Sequence, residues 1–264
     1  MMQQRLIIGR FINTASWVHH LDPRAKMTAM MIYAASVILI DTWQGLLWLA
    51  IISLAVMIST KIPLKLFMRG IKPLAPLIIF MMLFQFFFIK EGELLFSWGF
   101  IHVYDQGITR GMLAAGRMIL FVTFTAILTF TTTPIKLTQG LEGILRPFTI
   151  IGVSPQKIAL MISIALRFIP TILDEAQKIV KAQASRGADM KELPWKDKGK
   201  MAISLLVPVM VSAFKRAEDL LYSMESRGFQ LGAPRSSYYT LTWHLQDTAF
   251  IGIMFLAMVG IICF

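Results

Sequence analysis

The sequence predicts an all-α membrane protein, with about five transmembrane helices and a cytosolic or interfacial three-helix module containing two long proline-kinked helices. Three observations carry that expectation. Of 264 residues, 56% are hydrophobic and only 16% charged, and the mean hydropathy is +0.65, too apolar for a soluble globular domain. The bases sit in blocks between apolar runs. The tripeptide Ser-Arg-Gly occurs twice, at Ser185-Arg186-Gly187 and Ser226-Arg227-Gly228, each time closing a basic amphipathic segment.

The chain begins with a basic segment, residues 1–26, holding Arg5, Arg10, Arg24 and Lys26. It has no sustained apolar core followed by a small-residue cleavage site, so a cytosolic start without a cleavable signal peptide is expected. Apolar runs follow at Met27 to Ile40, Trp43 to Thr60, Ile71 to Ile89, and Met118 to Phe130, the last extended upstream by Gly107 to Arg117. Residues 27–132 therefore hold transmembrane helices one to four. The first two runs are short and separated only by Asp41-Thr42, so they could form one overlong helix. Basic residues flank both sides of the pair, which favours an even number of crossings, as a short hairpin or a re-entrant pair. The connection from Lys90 to Asp105 carries Glu91, Glu93 and Asp105 against one Lys, as an outer loop should. Arg110 and Arg117 share a helix face at the outer end of the fourth pass, where they read as snorkelling side chains. Arg117 is the better candidate for an internal partner.

Residues 133–245 carry fifteen more bases and are too interrupted to span. Three helices are expected there, from about Pro134 to Pro147, Pro155 to Arg186 and Trp195 to Arg227. The run Thr131-Thr132-Thr133 caps the first, with Pro134 in its first turn. Pro170 and Pro208 interrupt the other two, and each internal proline removes a helical hydrogen bond and kinks the helix. Before the proline the sequence is apolar nearly all round. After it, the second helix sets Ile172, Ala176, Ile179, Val180 and Gln183 against Asp174, Glu175, Lys178 and Lys181. The third sets Phe214, Ala217, Leu220, Leu221 and Met224 against Lys215, Arg216, Glu218, Asp219 and Glu225. The acids read as solvated faces rather than paired catalytic carboxylates. Residues 246–264 form the last transmembrane helix, ending outside.

Shifting the chain by forty-one positions overlays Glu175-Ala176-Gln177 on Arg216-Ala217-Glu218, and one Ser-Arg-Gly on the other. A glycine after a helix and a cation in its last turn are ordinary capping features. A cap has no need of the same Ser-Arg, however. A planar, always charged guanidinium on a projecting helix tip suits a carboxylate-lined groove, so each Arg is assigned to one subunit of a cytosolic pair.

Several functions are disfavoured. No P-loop, H-E-x-x-H, G-x-S-x-G or spaced Cys/His set is present, and the single Cys263 excludes an internal disulfide. His19 and His20 make a poor metal pair because adjacent helical residues point about 100° apart. The net charge of +11 follows the positive-inside pattern rather than an aromatic-interleaved nucleic-acid surface. A stand-alone secondary transporter would need midplane ionisable or broken-helix sites, and a membrane scaffold for another cytosolic pair is the blander alternative.

Three stretches carry a family resemblance: His20-Leu21-Asp22-Pro23-Arg24-Ala25-Lys26, Ala165-Leu166-Arg167-Phe168-Ile169-Pro170 leading to Glu175-Ala176, and the paired Arg tips. Together they resemble the transmembrane T component, EcfT, of energy-coupling factor transporters, the vitamin-importing branch of the ABC transporters. The resemblance implies a non-catalytic plasma-membrane subunit without its own cofactor, ATP being bound by two cytosolic ATPases. It implies that Ser185-Arg186-Gly187 and Ser226-Arg227-Gly228 end coupling helices, each docked on one ATPase. It also implies a separate substrate-binding S component on the apolar parts of those helices. Family members often show Ala before the Arg, where this chain has Ser twice. Ala184 precedes the first tip and Glu225 the second, and that charge difference points to two distinct ATPases.

Overall fold

The computed structural model describes residues 11–12, 14, 16–89, 91–98, 101–152, 154–185, 194–230 and 241–263. It divides into two compact units, residues 1–147 with 241–264, and residues 148–240. The first unit contains α1 (Trp17–His20), α2 (Pro23–Ile38), α3 (Trp43–Ser59), α4 (Leu64–Ile71), α5 (Ala75–Phe88), α6 (Asp105–Thr131), α7 (Pro134–Leu145) and α10 (Leu245–Cys263). The second is built on α8 (Pro155–Ser185) and α9 (Trp195–Glu225).

Local chemistry sets the boundaries. Asp22 caps α2 by accepting from Arg24 N at 2.8 Å, with Pro23 in the first turn. Thr42 caps α3 by accepting from Gly45 N at 3.2 Å. A side-chain acceptor there satisfies an otherwise orphaned helix donor, so residues 27–60 form two helices rather than one. Thr133 opens α7 in the same way, accepting from Lys136 N at 3.4 Å.

Among the described residues, three stretches are long and apolar enough to cross a membrane: Leu64–Phe88, Asp105–Thr131 and Leu245–Cys263. The first joins α4 to α5 through a 3-10 turn at Lys72–Leu74, so it begins several residues before the apolar run at Ile71. With 16 and 17 residues, α2 and α3 are shorter. At 1.5 Å per residue each reaches about 25 Å, under the roughly 30 Å of a hydrocarbon core. One feature departs from a purely helical pattern. Strands β1 (Leu94–Trp98) and β2 (Ile101–Tyr104) form an antiparallel hairpin between α5 and α6, with a register irregularity between Leu94 and Phe96.

The core of the first unit is apolar and aromatic. α2 packs on α10, α6 and α7, and α3 packs on α6. Tyr33 of α2 stacks on Phe124 of α6 with ring centroids 4.0 Å apart, and its hydroxyl hydrogen-bonds Ser53 of α3. Phe67 meets Phe130 edge-on at 5.4 Å. α5 and α6 approach closely because α6 has glycine where it crosses its neighbour. A Cβ on Gly107 would lie 3.2 Å from the carbonyl oxygens of Gln85 and Ile89, and one on Gly111 would lie 2.5 Å from the Phe86 ring. Small residues permit such backbone contact between apolar helices.

The two arginines in the first half of α6 find partners. Arg117 Nη2 lies 3.0 Å from Asp41 Oδ1, in the α2–α3 turn, and Arg110 Nη2 lies 2.7 Å from Glu91 Oε2. Arg117 thus pairs with one of the two residues that separate the first two helices, but Asp41 is 86% exposed, so this partner lies at the surface and is not an internal one.

Substituting Gly107→Leu should push α6 off α5 and lower stability by about 1–3 kcal/mol, the usual range for overpacking. Gly252→Ala, where a Cβ meets nothing within 4 Å, should be neutral or mildly stabilising. Thermal unfolding of both variants in detergent checks the pair.

Candidate functional site

The motif from His20 to Lys26 forms a buried polar clasp. Asp247, in the first turn of α10, is 1% exposed. Its Oδ2 accepts from His244 N at 2.8 Å, and its Oδ1 accepts from Asp22 N at 2.7 Å. One carboxylate therefore caps its own helix and holds the N-cap residue of α2. Lys26, also buried, donates from Nζ to His19 O (3.3 Å), Thr131 O (3.2 Å) and Thr132 Oγ1 (3.3 Å). A cation on the last carbonyls of a helix complements its dipole, so Lys26 closes the C-terminus of α6. His19 Nε2 donates to Ile12 O at 2.9 Å, which leaves Nδ1 to accept from Ser16 Oγ at 2.6 Å. Burial pulls the His19 pKa below its ordinary value, against the Ile12 hydrogen bond. Lys26 precedes the apolar run of α2, and burial, assisted by Lys136, pulls its pKa down to about 8 although Asp247 and Asp22 oppose the shift.

The second unit places the predicted tips unequally. Ser185 ends α8, exposed, with its hydroxyl donating to Lys181 O at 3.1 Å. Arg186 and Gly187 lie outside the described residues. At the other tip, Gly228 has φ 69°. Gly228 N donates to Glu225 O at 2.9 Å and Phe229 N to Met224 O at 3.0 Å. This is a Schellman cap, with glycine in the left-handed conformation that other residues avoid. Ser226 and Arg227 sit on that rigid turn, exposed, and Arg227 makes no ion pair with a described residue. The glycine is thus a cap; the cap accounts for nothing about the arginine.

Pro170 and Pro208 lie inside the continuous helices α8 and α9. Neither has a backbone N–H, so the carbonyls of Leu166 and Ser204 lose their helical donors. Nearby hydroxyls bond other carbonyls of the same turns, Thr171 Oγ1 to Phe168 O and Ser204 Oγ to Met201 O, both at 2.8 Å.

The faces of α8 follow the sequence reading with one exception. Ile172, Ala176, Ile179, Val180 and Gln183 are half-buried while Asp174, Lys178 and Lys181 are exposed. Glu175 is the exception, because it turns toward α9 instead of forming a solvated face with Asp174. Its Oε1 accepts from Ser212 Oγ at 2.6 Å, and its Oε2 accepts from Arg216 Nη2 at 2.7 Å and Nε at 3.1 Å. The hydrogen bond from Ser212, then that from Arg216, hold the Glu175 pKa below the usual carboxylate range. α9 differs more. Its more enclosed residues run through Met201, Leu205, Val209, Ser212, Arg216, Leu220 and Met224 at steps of three and four, with Ala213 beside them; Leu220 and Met224 of the expected apolar stripe are on this face, whereas Phe214, Ala217 and Leu221 are exposed. Glu175 draws the polar Ser212 and Arg216 inward, and Phe214, Ala217 and Leu221 are left outward. The signal was present in the forty-one-residue repeat, which puts opposite charges at equivalent positions.

Apolar helices of membrane-crossing length with a buried clasp at their ends, and a second unit of two long amphipathic helices, define an integral membrane protein. Sequence comparison makes the assignment particular. The CbiQ family, described as cobalt transport protein, matches residues 14–239. The chain is 41% identical over 250 residues to the energy-coupling factor transporter transmembrane protein EcfT of Listeria innocua, covering 95% of this chain and 94% of the relative. It is 42% identical to the EcfT protein of Macrococcus caseolyticus (94% and 93% covered) and 39% identical to that of Bacillus subtilis (95% and 94%). The chain belongs to the CbiQ family as an EcfT-type transmembrane component of an energy-coupling factor transporter.

The depressed Lys26 pKa sets a pH dependence with a definite sign. Between about pH 8 and the unfolded value of 10.5, the unfolded chain binds more protons at this site, so stability rises with pH there. Relative to Lys26→Met, the wild-type protein should gain on the order of 3 kcal/mol across that window. Paired thermal melts in detergent at pH 7.5 and 10.5 measure the difference.

Proposed function

We propose that this subunit transmits ATP-driven motion from two cytosolic ATPases to a separate membrane-embedded S component that binds a vitamin or other micronutrient. The single observation that carries the reading is Arg227, exposed on a rigid Schellman cap at the end of a 31-residue helix, with a second Ser-Arg-Gly one repeat away. A fixed backbone turn presents the guanidinium without the entropy loss of ordering a flexible loop, as a docking plug requires. Ser185-Arg186-Gly187 and Ser226-Arg227-Gly228 each engage one ATPase. The chain itself is non-catalytic and needs no cofactor, the nucleotide being bound by the ATPases.

Other features support the same reading. Ile203, Leu206, Val207, Met210, Val211 and Phe214 of α9 are all exposed, an apolar surface suited to a membrane partner and rich enough in flexible side chains to re-pack. Pro170 and Pro208 divide the apolar from the amphipathic half of each helix, so that tip motion can reach the membrane-facing half. In the first unit, Asp247 joins the N-terminal ends of α2 and α10, and Lys26 adds the C-terminal end of α6. With the basic connections at that level, the N-terminus lies in the cytosol of a plasma-membrane protein. ATP can drive the cycle only by favouring one arrangement of the tips over another.

The test is reversal of both tips. Arg186→Glu with Arg227→Glu should reduce ATPase co-purification at least tenfold and bring ATP-dependent uptake in proteoliposomes to background, while the purified variant melts like wild type. Unchanged assembly and uptake would exclude the tip assignment. Gly228→Ala, strained at φ 69° by roughly 1–2 kcal/mol, should weaken ATPase binding severalfold.

A further inference from the structure

α8 and α9 bring equivalent positions of the repeat into contact. Glu175 and Arg216 are equivalent under the forty-one-residue shift, and they are bonded, with Arg216 Nη2 2.7 Å from Glu175 Oε2. The other carboxylate oxygen takes Ser212 Oγ at 2.6 Å. Ser212 and Arg216 are four residues apart on one face of α9, so two successive turns hold a single carboxylate.

The position of this contact matters more than its strength. Glu175 lies eleven residues before Arg186, and Arg216 eleven before Arg227. At 1.5 Å per residue, Ser185 and Ser226, each ten residues beyond the contact, lie about 15 Å from it along their helices. The prolines lack this symmetry, since Pro170 is five residues before Glu175 and Pro208 eight before Arg216. The paired residues, and not the kinks, stand in register with the tips. A contact between equivalent positions filled by the same charged residue in both copies would be repulsive; the change to Glu in one helix and Arg in the other makes it attractive. A partly exposed pair contributes little to stability, so its distinctive effect is on register. Sliding α9 by one turn would separate Arg216 from Glu175 and displace one tip by about 5.4 Å relative to the other.

We propose that Glu175, Arg216 and Ser212 form a register lock at the crossing of α8 and α9, which keeps the two Arg tips level so that both ATPases can be engaged at once. These are positioning residues, and the proposal rests on the tip reading given above. The test uses the complete transporter, with Cys263→Ser and spin labels on cysteines introduced at positions 181 and 222, equivalent exposed sites one turn short of the tips. Glu175→Arg and Arg216→Glu should each broaden the tip-to-tip distance distribution and lower uptake per ATP hydrolysed about tenfold. The double exchange, Glu175→Arg with Arg216→Glu, should restore a narrow distribution and most of the coupling. Arg216→Lys, which keeps the charge but loses the fork, should recover only part. If a reversal variant does not assemble, Glu175→Gln and Ser212→Ala supply the same readouts with smaller perturbations. A distribution that stays narrow in the single variants, or a double exchange that restores nothing, overturns the lock. The distance distribution is also read on the purified subunit without ATPases, so a failure of the tip assignment leaves a distinct signature: tip reversals without effect on assembly, alongside an intact charge-exchange rescue of distance.

Discussion

The membrane unit depends on satisfying helix ends where little water reaches. An orphaned backbone donor or acceptor in apolar surroundings costs several kcal/mol, and α2, α6 and α10 all end within the same buried region. Asp247 answers for two helix beginnings and Lys26 for one helix ending. Because those bonds are short-ranged, the three ends must lie at one level. The apolar contacts above them, Tyr33 on Phe124 and the layer of Leu49, Ile127 and Met254, inherit their register from that level. Lateral packing alone would let such smooth helices slide.

The second unit uses polar chemistry differently. Its central contact is partly open to solvent, and the apolar residues of α9 that would ordinarily be buried point outward. A clasp sealed from water suits a part that stays fixed, and an open pair between otherwise lightly packed helices suits one that adjusts. The division agrees with the proposed transmission role, in which one part would anchor in the bilayer and the other carry displacement.

Much of this was legible along the chain. Helix boundaries at Pro134, Pro155 and Trp195 followed from proline and capping residues, and the exposed cap at Gly228 followed from glycine after a basic turn. Other features were not. The 3-10 turn at Lys72–Leu74 lengthens a span whose apolar run begins only at Ile71. α7 packs on α2 within the first unit, although its polarity grouped it with residues 148–240. The β-hairpin between α5 and α6 has no distinctive turn dipeptide to announce it. On α9, apolar periodicity selected Phe214 and Leu221 as the enclosed face, but a carboxylate on another helix outcompeted them for the crossing.

Composition, charge placement and the forty-one-residue repeat determined by themselves that this is a membrane protein with basic connections between its apolar runs and the same Ser-Arg-Gly at two equivalent positions. Those properties are local or additive, so they can be summed from residues in order. Only the tertiary structure decided that Asp247 reaches Asp22, that Lys26 reaches Thr131 and that Glu175 reaches Arg216, because a hydrogen bond requires an approach of about 3 Å that chain spacing does not encode. The repeat contained two equivalent helices; folding brought equivalent positions into contact.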